Sequence, residues 1–348
     1  MSIISGPDIQ NDRRLDPRVK DLLAFVPSAH LPDVASREEL VAQSNTPELA
    51  LARAAIAPVL EMCDTEEFAP SAGLTWRTVE FESEPDANTV KINFIRPEGD
   101  EPVPCVYYIH GGGMATLSAF DGNYRAWGKI IAANNVAVAM VDFRNCLVAS
   151  SAPEIEPYPA GLNDCVSGLR WLAANHADLG IDPQQIVVAG ESGGGNLTLA
   201  TGLRLKQDGD LGLVRGLYAC CPYIAGEWPQ DRYPSSTENN GIFISVGHNR
   251  GRVGYGIDAW EAQDPMAWPG LATVDDLVGM VPTVISVNEC DPLRDEGIAF
   301  YRLLLEAGVD ARCRQVMGTM HGTEMFPMVC PEISRDTARD IAAFCRGD

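Results

Sequence analysis

Apolar positions along the chain change their period twice. The first 75 residues carry them at roughly helical spacing, in the runs DPRVKDLLAFV, SREEL and PELALARAAIAPVLEMC, separated by proline-containing breaks. From about residue 74 the period shortens to two. TWRTVEFES and TVKINFIRP are rich in β-branched and aromatic side chains and flank PDAN, which predicts a hairpin. Beyond residue 100, short apolar runs take over: PVPCVYYI (102–109), VAVAMVDF (136–143), QQIVVAG (184–190), VRGLYACCPY (214–223), PTVISVNE (282–289) and ARCRQVM (311–317). Between them lie stretches of helical length, namely GNYRAWGKIIAANN, GLNDCVSGLRWLAANHADLG, GGNLTLATGLRLKQ and RDEGIAFYRLLLEAG, and a closing helix is expected near 334–346. Strands apolar on both faces and separated by helices predict an α/β fold, a mostly parallel central sheet with helices on both faces.

Residues 223–270 break this rhythm. They are rich in Gly, Pro, Trp and Tyr, have no clean period, and read as an insertion packed over the end of the sheet. Four parts follow: a helical segment 1–75, the first part of the core 76–222, the insertion 223–270, and the second part of the core 271–348. There are no internal repeats and no low-complexity tract.

Composition narrows the partners. Of 348 residues 46% are hydrophobic, and no apolar run approaches the roughly eighteen residues of a membrane span, so membrane insertion is not expected. The opening MSIISGPDIQNDRRLDP lacks the basic and apolar parts of a secretory signal, which places the expected location in the cytoplasm. The ten cysteines are then reduced. They are scattered, with no C-x-x-C and no zinc spacing, so they read as small buried hydrophobes and no metal site is expected. A net charge of −22 with only four lysines repels nucleic acid and anionic membrane, and favours neutral or cationic ligands.

In open α/β sheets the working residues sit on loops at the carboxyl ends of strands. Four such loops are chemically loaded: HGGGM after Ile109, GESGGG after Ala189, ECDPLRD after Val287 and GTMHG after Met317. A strand followed at once by G-x-S-x-G and a helix is a nucleophile elbow, with Gly190 and Gly194 flanking Ser192. A dinucleotide loop needs G-x-G-x-x-G and a P-loop needs Lys-Ser/Thr after its glycines. Neither register is met, since the first lysine downstream is Lys206.

The serine needs a base. Of His30, His110, His176, His248 and His321, only the last two follow it, as the order Ser, acid, His of elbow-bearing hydrolases requires. His248 lies in the irregular insertion; His321 lies just after the last strand and is the expected base. For the orienting acid, Asp291 stands just past its strand, whereas Glu289 belongs to the strand and Asp295 to the following helix. The backbone N–H groups of Gly112, Gly113 and Gly193 are the natural donors to a developing oxyanion, with His110 pinning their loop. Glu191 is expected to turn away from the nucleophile in a local structural role.

With these residues in place, the chain resembles the hormone-sensitive-lipase group of α/β-hydrolases. The resemblance rests on His110-Gly111-Gly112-Gly113, Gly190-Glu191-Ser192-Gly193-Gly194-Gly195, Asp291-Pro292-Leu293-Arg294-Asp295-Glu296-Gly297 and His321-Gly322, and runs from about residue 80 to the end. It implies an α/β-hydrolase fold with a helical cap made from the N-terminal segment and the insertion. It also implies a serine carboxylesterase acting on a small-molecule ester of short to medium chain, without metal or organic cofactor. One segment departs from the group's pattern: its tyrosine-arginine-leucine-alanine-proline-glutamate appears as Phe143-Arg144-Asn145-Cys146-Leu147 with Ala152-Pro153-Glu154 later. Met114, Phe243 and Phe326 are the expected pocket residues, with core packing as their other reading. Lactone, amide or carbamate cleavage by the same triad stays open, as does a homodimer. A non-catalytic receptor is disfavoured because Ser192, Asp291 and His321 all stand.

Overall fold

The computed structural model describes residues 8–25 and 31–348. Residues 1–7 and 26–30, which include His30, lie outside the described residues. The strands are β1 (Leu74–Ser83), β2 (Asn88–Pro97), β3 (Val103–Ile109), β4 (Ala137–Asp142), β5 (Ile181–Glu191), β6 (Gly216–Cys220), β7 (Thr283–Asn288) and β8 (Ala311–Val316). They form one sheet in the order β1-β2-β4-β3-β5-β6-β7-β8. The β1–β2 hairpin and the β2–β4 pair are antiparallel, and every pair from β4 to β8 is parallel.

The helices are α1 (Pro17–Leu23), α2 (Arg37–Ser44), α3 (Pro47–Glu61), α4 (Gly122–Ala132), α5 (Ala160–Ala174), α6 (His176–Leu179), α7 (Gly193–Asp208), α8 (Ser235–Glu238), α9 (Arg250–Tyr255), α10 (Ile257–Glu261), α11 (Val274–Leu277), α12 (Arg294–Glu306) and α13 (Pro331–Arg346). None of them is long and apolar enough to cross a membrane. Alternation along each strand sorts the core into two layers. Cys105, Tyr107 and Ile109 of β3 join α5, α7 and α12 through Leu169, Leu199 and Leu304. Val106 and Tyr108 join α4 and α13 on the other face through Trp127, Ile131 and Ile341.

The predicted strands all form. The single helix predicted over 161–180 does not run through: α5 ends at Ala174 and α6 starts at His176. The reason is local. Asn175 turns its side-chain amide back onto the Trp171 carbonyl at 2.8 Å, competing with the helical ladder, and Gly180 then closes in the left-handed region at φ 64°. All ten cysteines are unpaired, nine of them buried.

The order of the sheet positions the site. The chain leaves β3 for β4 on one side and returns through α5 to β5 on the other, so the direction of winding reverses between β3 and β5. The crevice beyond the strands' carboxyl ends opens at such a reversal. Ile109 pairs with Gly190, which sets the loop after β3 beside the loop after β5.

Candidate active site

The bend after β5 is tightly constrained. Ser192 sits between the strand and α7 at φ 56°, ψ −119°, a conformation that costs of order 1–3 kcal/mol for a residue with a side chain. A Cβ on Gly190 would meet the Gly194 carbonyl at 2.5 Å, and one on Gly194 would meet the His110 carbonyl at 2.6 Å, so both flanks must be glycine. Three backbone bonds hold the bend: Ser192 N–H donates to Cys220 O at 2.9 Å, and Ser192 O accepts from Asn196 N–H at 3.0 Å and Tyr223 N–H at 3.1 Å.

The glycine loop after β3 closes over this bend. A Cβ on Gly193 would meet Met114 N at 2.5 Å, which shows how near the two loops approach. The N–H groups of Gly112 and Gly113 make no hydrogen bond among the described residues, and that of Gly193 is the first in α7, where no intrahelical acceptor exists. Three donors are thus left available near Ser192. His110 is wholly buried, stacked on Phe143 at 4.3 Å, with Nδ1 at 3.0 Å from Gly111 O and Nε2 at 3.5 Å from Asp142. Burial holds its pKa below the usual imidazole value, although Asp142 opposes the fall.

Glu191 touches the cavity wall but turns its carboxylate into the joint between the two loops. Its Oε1 accepts from Gly111 N–H at 2.7 Å and Tyr124 O–H at 2.6 Å, and its Oε2 accepts from Tyr108 O–H at 2.6 Å. Burial pushes its pKa up to about 7, against the pull of those three donors. The carboxylate therefore ties the elbow to the glycine loop and to α4.

Asp291 is fully buried after β7. Its Oδ2 lies 2.8 Å from His321 Nδ1, while its Oδ1 accepts from Leu293 N–H at 2.9 Å. The other two acids near the strand are engaged elsewhere: Glu289 accepts from Gly318 N–H at 2.8 Å, and Asp295 accepts from Arg294 and from Ser235 N–H. Asn288, the last residue of β7, braces the histidine loop by accepting from Gly322 N–H at 3.3 Å and donating to Thr319 and Glu324. Burial lowers the pKa of His321, but the facing Asp291 outweighs it, with Glu191 and Glu324 adding to the rise, and the net shift is upward. A base held by a buried carboxylate in this way has its tautomer fixed, leaving Nε2 free to accept a proton.

A cavity of about 360 Å³ joins these pieces, lined by Gly112, Gly113, Ser192 and His321 among others. Ser192 and His321 are both at its wall, and the bond to Asp291 is the imidazole's only hydrogen bond among the described residues. Such serine-to-base contacts commonly tighten only when substrate is bound. Phe243 and Phe326 line the cavity edge to face, 5.7 Å apart, whereas Met114 is buried in the core cluster and does not reach it. His248 is not among the lining residues.

Several lining residues carry no signal in the sequence. Ile56 and Leu60 come from α3, a helix with no buried residue, and Ile244, Ser245 and Val246 come from the aperiodic segment. That segment also supports the acid: Asn239 Nδ2 donates to Asp291 O at 3.1 Å, and Ser235 Oγ to Pro292 O at 3.0 Å. In the segment that departs from the group's pattern, Arg144 is buried against Asp164 at 2.9 Å and Asp86 at 2.9 Å, and Cys146 N–H donates to Met114 O at 2.9 Å.

Residues 106–325 match a family described by its alpha/beta hydrolase fold. The chain is similar to carboxylesterase NlhH of Mycobacterium tuberculosis, 32% identical over 297 residues that span 80% of this chain and 84% of that protein. Two solved structures are also similar. Esterase Est22 is 61% identical with a TM-score of 0.95, over 98% of this chain and 100% of that one. Brefeldin A esterase, described as a bacterial homologue of human hormone sensitive lipase, is 35% identical with a TM-score of 0.83, over 98% of this chain and 95% of that one.

Proposed function

The chain belongs to the α/β-hydrolase family, among relatives of the hormone-sensitive-lipase type, and is a carboxylic ester hydrolase; on that premise we propose that it works through an acyl-enzyme on Ser192. The observation that carries this reading is the 2.8 Å contact of Asp291 with His321 at a cavity whose wall also holds Ser192 on its strained bend.

His321 Nε2 takes the proton of Ser192 as the oxygen attacks the ester carbonyl. The negative charge that develops on the carbonyl oxygen falls to the N–H groups of Gly112, Gly113 and Gly193. The imidazolium, stabilised by Asp291, then gives its proton to the departing alcohol. A water molecule repeats the cycle and releases the acid. Each step is carried by side chains and backbone donors, so the reaction as drawn calls on no metal or organic cofactor.

The substrate class follows from size and lining. A cavity of about 360 Å³ with Phe243, Phe326, Ile244 and Met325 in its wall suits an apolar acyl group of short to medium length. It stands at the small end of the ligand-pocket range of about 300–1,000 Å³. Residues 1–75 and 223–270 act as the two parts of a cap on the core of 76–222 and 271–348, a division supported by the cavity residues that α3 and 243–246 contribute.

The test is turnover of p-nitrophenyl esters from acetate to laurate by the wild type and by Ser192→Ala. The alanine variant should lose on the order of a millionfold in kcat, as a nucleophile knockout does in subtilisin. Retention of most of the activity would end the Ser192 mechanism, and a maximum at laurate would end the assignment of acyl length.

A further inference from the structure

Cys221 reads in the sequence as one of ten small buried hydrophobes. In the structure it follows β6 at φ 33°, in the left-handed region that side-chain-bearing residues rarely take, with its N–H bonded to Ser286 O at 2.7 Å. Its sulfur, a carboxylate oxygen of Asp291 and a ring nitrogen of His321 lie within 4.8 Å of one another, and all three side chains are buried. Among the described residues no other three His, Cys, Asp or Glu side chains gather in this way.

We propose that Cys221, Asp291 and His321 form a binding site for a thiophilic divalent cation of the zinc class, whose occupation reversibly switches the esterase off. The effect on turnover rests on the triad reading given above; the binding does not.

The donor set is suited to the ion. Zinc takes thiolate, imidazole and carboxylate in tetrahedral sites with bonds of about 2.0–2.3 Å, which sets neighbouring donor atoms roughly 3.3–3.7 Å apart. Asp291 Oδ2 and His321 Nδ1, 2.8 Å apart, must open by roughly half an ångström, and the sulfur, within 4.8 Å of both groups, must draw in by up to about 1.5 Å. Charge favours the same outcome. Burial, with Asp291, Glu324 and Glu191 nearby, holds the Cys221 thiol well above its usual pKa, so the thiolate forms only against a bound dication, whose charge balances the thiolate and Asp291 beside a neutral imidazole. The ring of His321 lines the cavity, so an ion arriving from the crevice meets it first.

The step balances. The S–H bond of Cys221 breaks, its proton leaves to solvent, and the sulfur binds the ion. Nδ1 of His321 gives up the proton it shares with Asp291 and binds the ion through its lone pair, while a proton is taken up on Nε2. One proton is released per ion, and a water molecule takes the fourth corner. Nε2 is then an N–H donor and cannot accept the proton of Ser192, so turnover stops although the serine is untouched.

Zinc and cadmium ions are the probes, added to the full-length wild type and to Cys221→Ala, with Cys290→Ala as a control for the thiol next to Asp291. Zinc should inhibit the wild type with reversal by a chelator and release of one proton per ion, and cadmium should give a cadmium–thiolate absorption band. Cys221→Ala should keep its basal turnover, lose the band and need at least about tenfold more zinc for half-inhibition, the scale of losing a ligand-shell partner. Cys290→Ala should behave as the wild type. If Cys221→Ala is inhibited at the same zinc concentration, or cadmium inhibits without a thiolate band, the site does not exist. Should Cys221→Ala fail to fold, Asp291→Asn replaces it, since the thiolate band must weaken there too if the carboxylate is a ligand. Absence of ester turnover in the wild type would count against the Ser192 mechanism, while the band and the proton count still decide the cation site.

Discussion

Glu191 sits next to the nucleophile in the chain and does its work on the opposite loop. Its two oxygens gather Gly111 N–H, Tyr124 O–H and Tyr108 O–H, all at 2.6–2.7 Å. Gly111 immediately precedes Gly112 and Gly113, the oxyanion donors of the proposed mechanism, so in that mechanism the carboxylate sets the height of their loop over Ser192. In the proposed mechanism it is a positioning residue. Glu191→Ala would leave three buried donors without an acceptor, each costing about 1–3 kcal/mol, and free the glycine loop to shift. The expected result is a fall in kcat of roughly a hundred- to a thousandfold, the scale of losing one oxyanion donor, with KM little changed. Glu191→Gln keeps an acceptor oxygen and should recover part of the loss. Equal falls in kcat and in thermal stability for both variants, with no recovery in glutamine, would reduce the residue to a packing role. The sequence places Glu191 beside the serine and turned away from it, but its partners are 67 to 83 residues away. Which groups a buried carboxylate meets depends on strand order, which local pattern does not carry.

At the scale of elements, the four loaded loops were legible because each motif directly follows a continuously apolar strand, and strands of a parallel sheet deliver such loops to one edge. The rest of the site comes from elements whose local pattern says little. α3 has large apolar residues exposed on it, Leu51 and Ile56 among them, and no buried one, so periodicity could predict the helix but not that Ile56 and Leu60 reach the cavity. The segment 223–270 was opaque because its structure is a series of short helices held by long-range bonds. One of its anchors is Glu296 of α12, buried, accepting from Ile224 N–H at 2.7 Å, Ala225 N–H at 3.2 Å and Trp228 Nε1. Burial pushes the pKa of Glu296 from 4.5 up to about 8, outweighing those donors. The folded protein thus binds a proton that the unfolded chain has already lost, so this group's stabilisation is full below pH 4.5 and is lost as pH rises through about 8. Melting temperatures of the wild type should fall between about pH 5 and pH 8, and Glu296→Gln should flatten that slope. Glu191, raised in the same sense, leaves a residual slope in the variant. Identical slopes for both proteins would show that Glu296 does not titrate in that window.

At the scale of the whole molecule, a net charge of −22 surrounds a cavity whose wall holds few ionisable groups, Glu191 and His321 among them. On the proposed reading the cavity selects by shape and apolar contact, and charge discrimination between substrates is expected from the field of the surface as a whole. Such a field acts on approach, concentrating cations and depleting anions near the crevice, and it is screened by salt. Two esters with the same short acyl group, one with a quaternary ammonium on its alcohol and one with a carboxylate, separate this effect from the chemistry. At low ionic strength kcat/KM should favour the cationic ester. As salt rises from about 10 mM to about 1 M, the screening length drops from about 30 Å to about 3 Å, and the two values should converge, the cationic one falling and the anionic one rising. A neutral ester of the same acyl group should stay flat and serves as the reference. Because the expected change is in encounter rather than in the acyl transfer, kcat for all three should vary little over the same range. A salt dependence confined to kcat, or equal slopes for the cationic and anionic esters, would place the discrimination in contacts at the cavity mouth, where Arg53, Lys91 and Asp121 line the adjoining cavity of about 930 Å³.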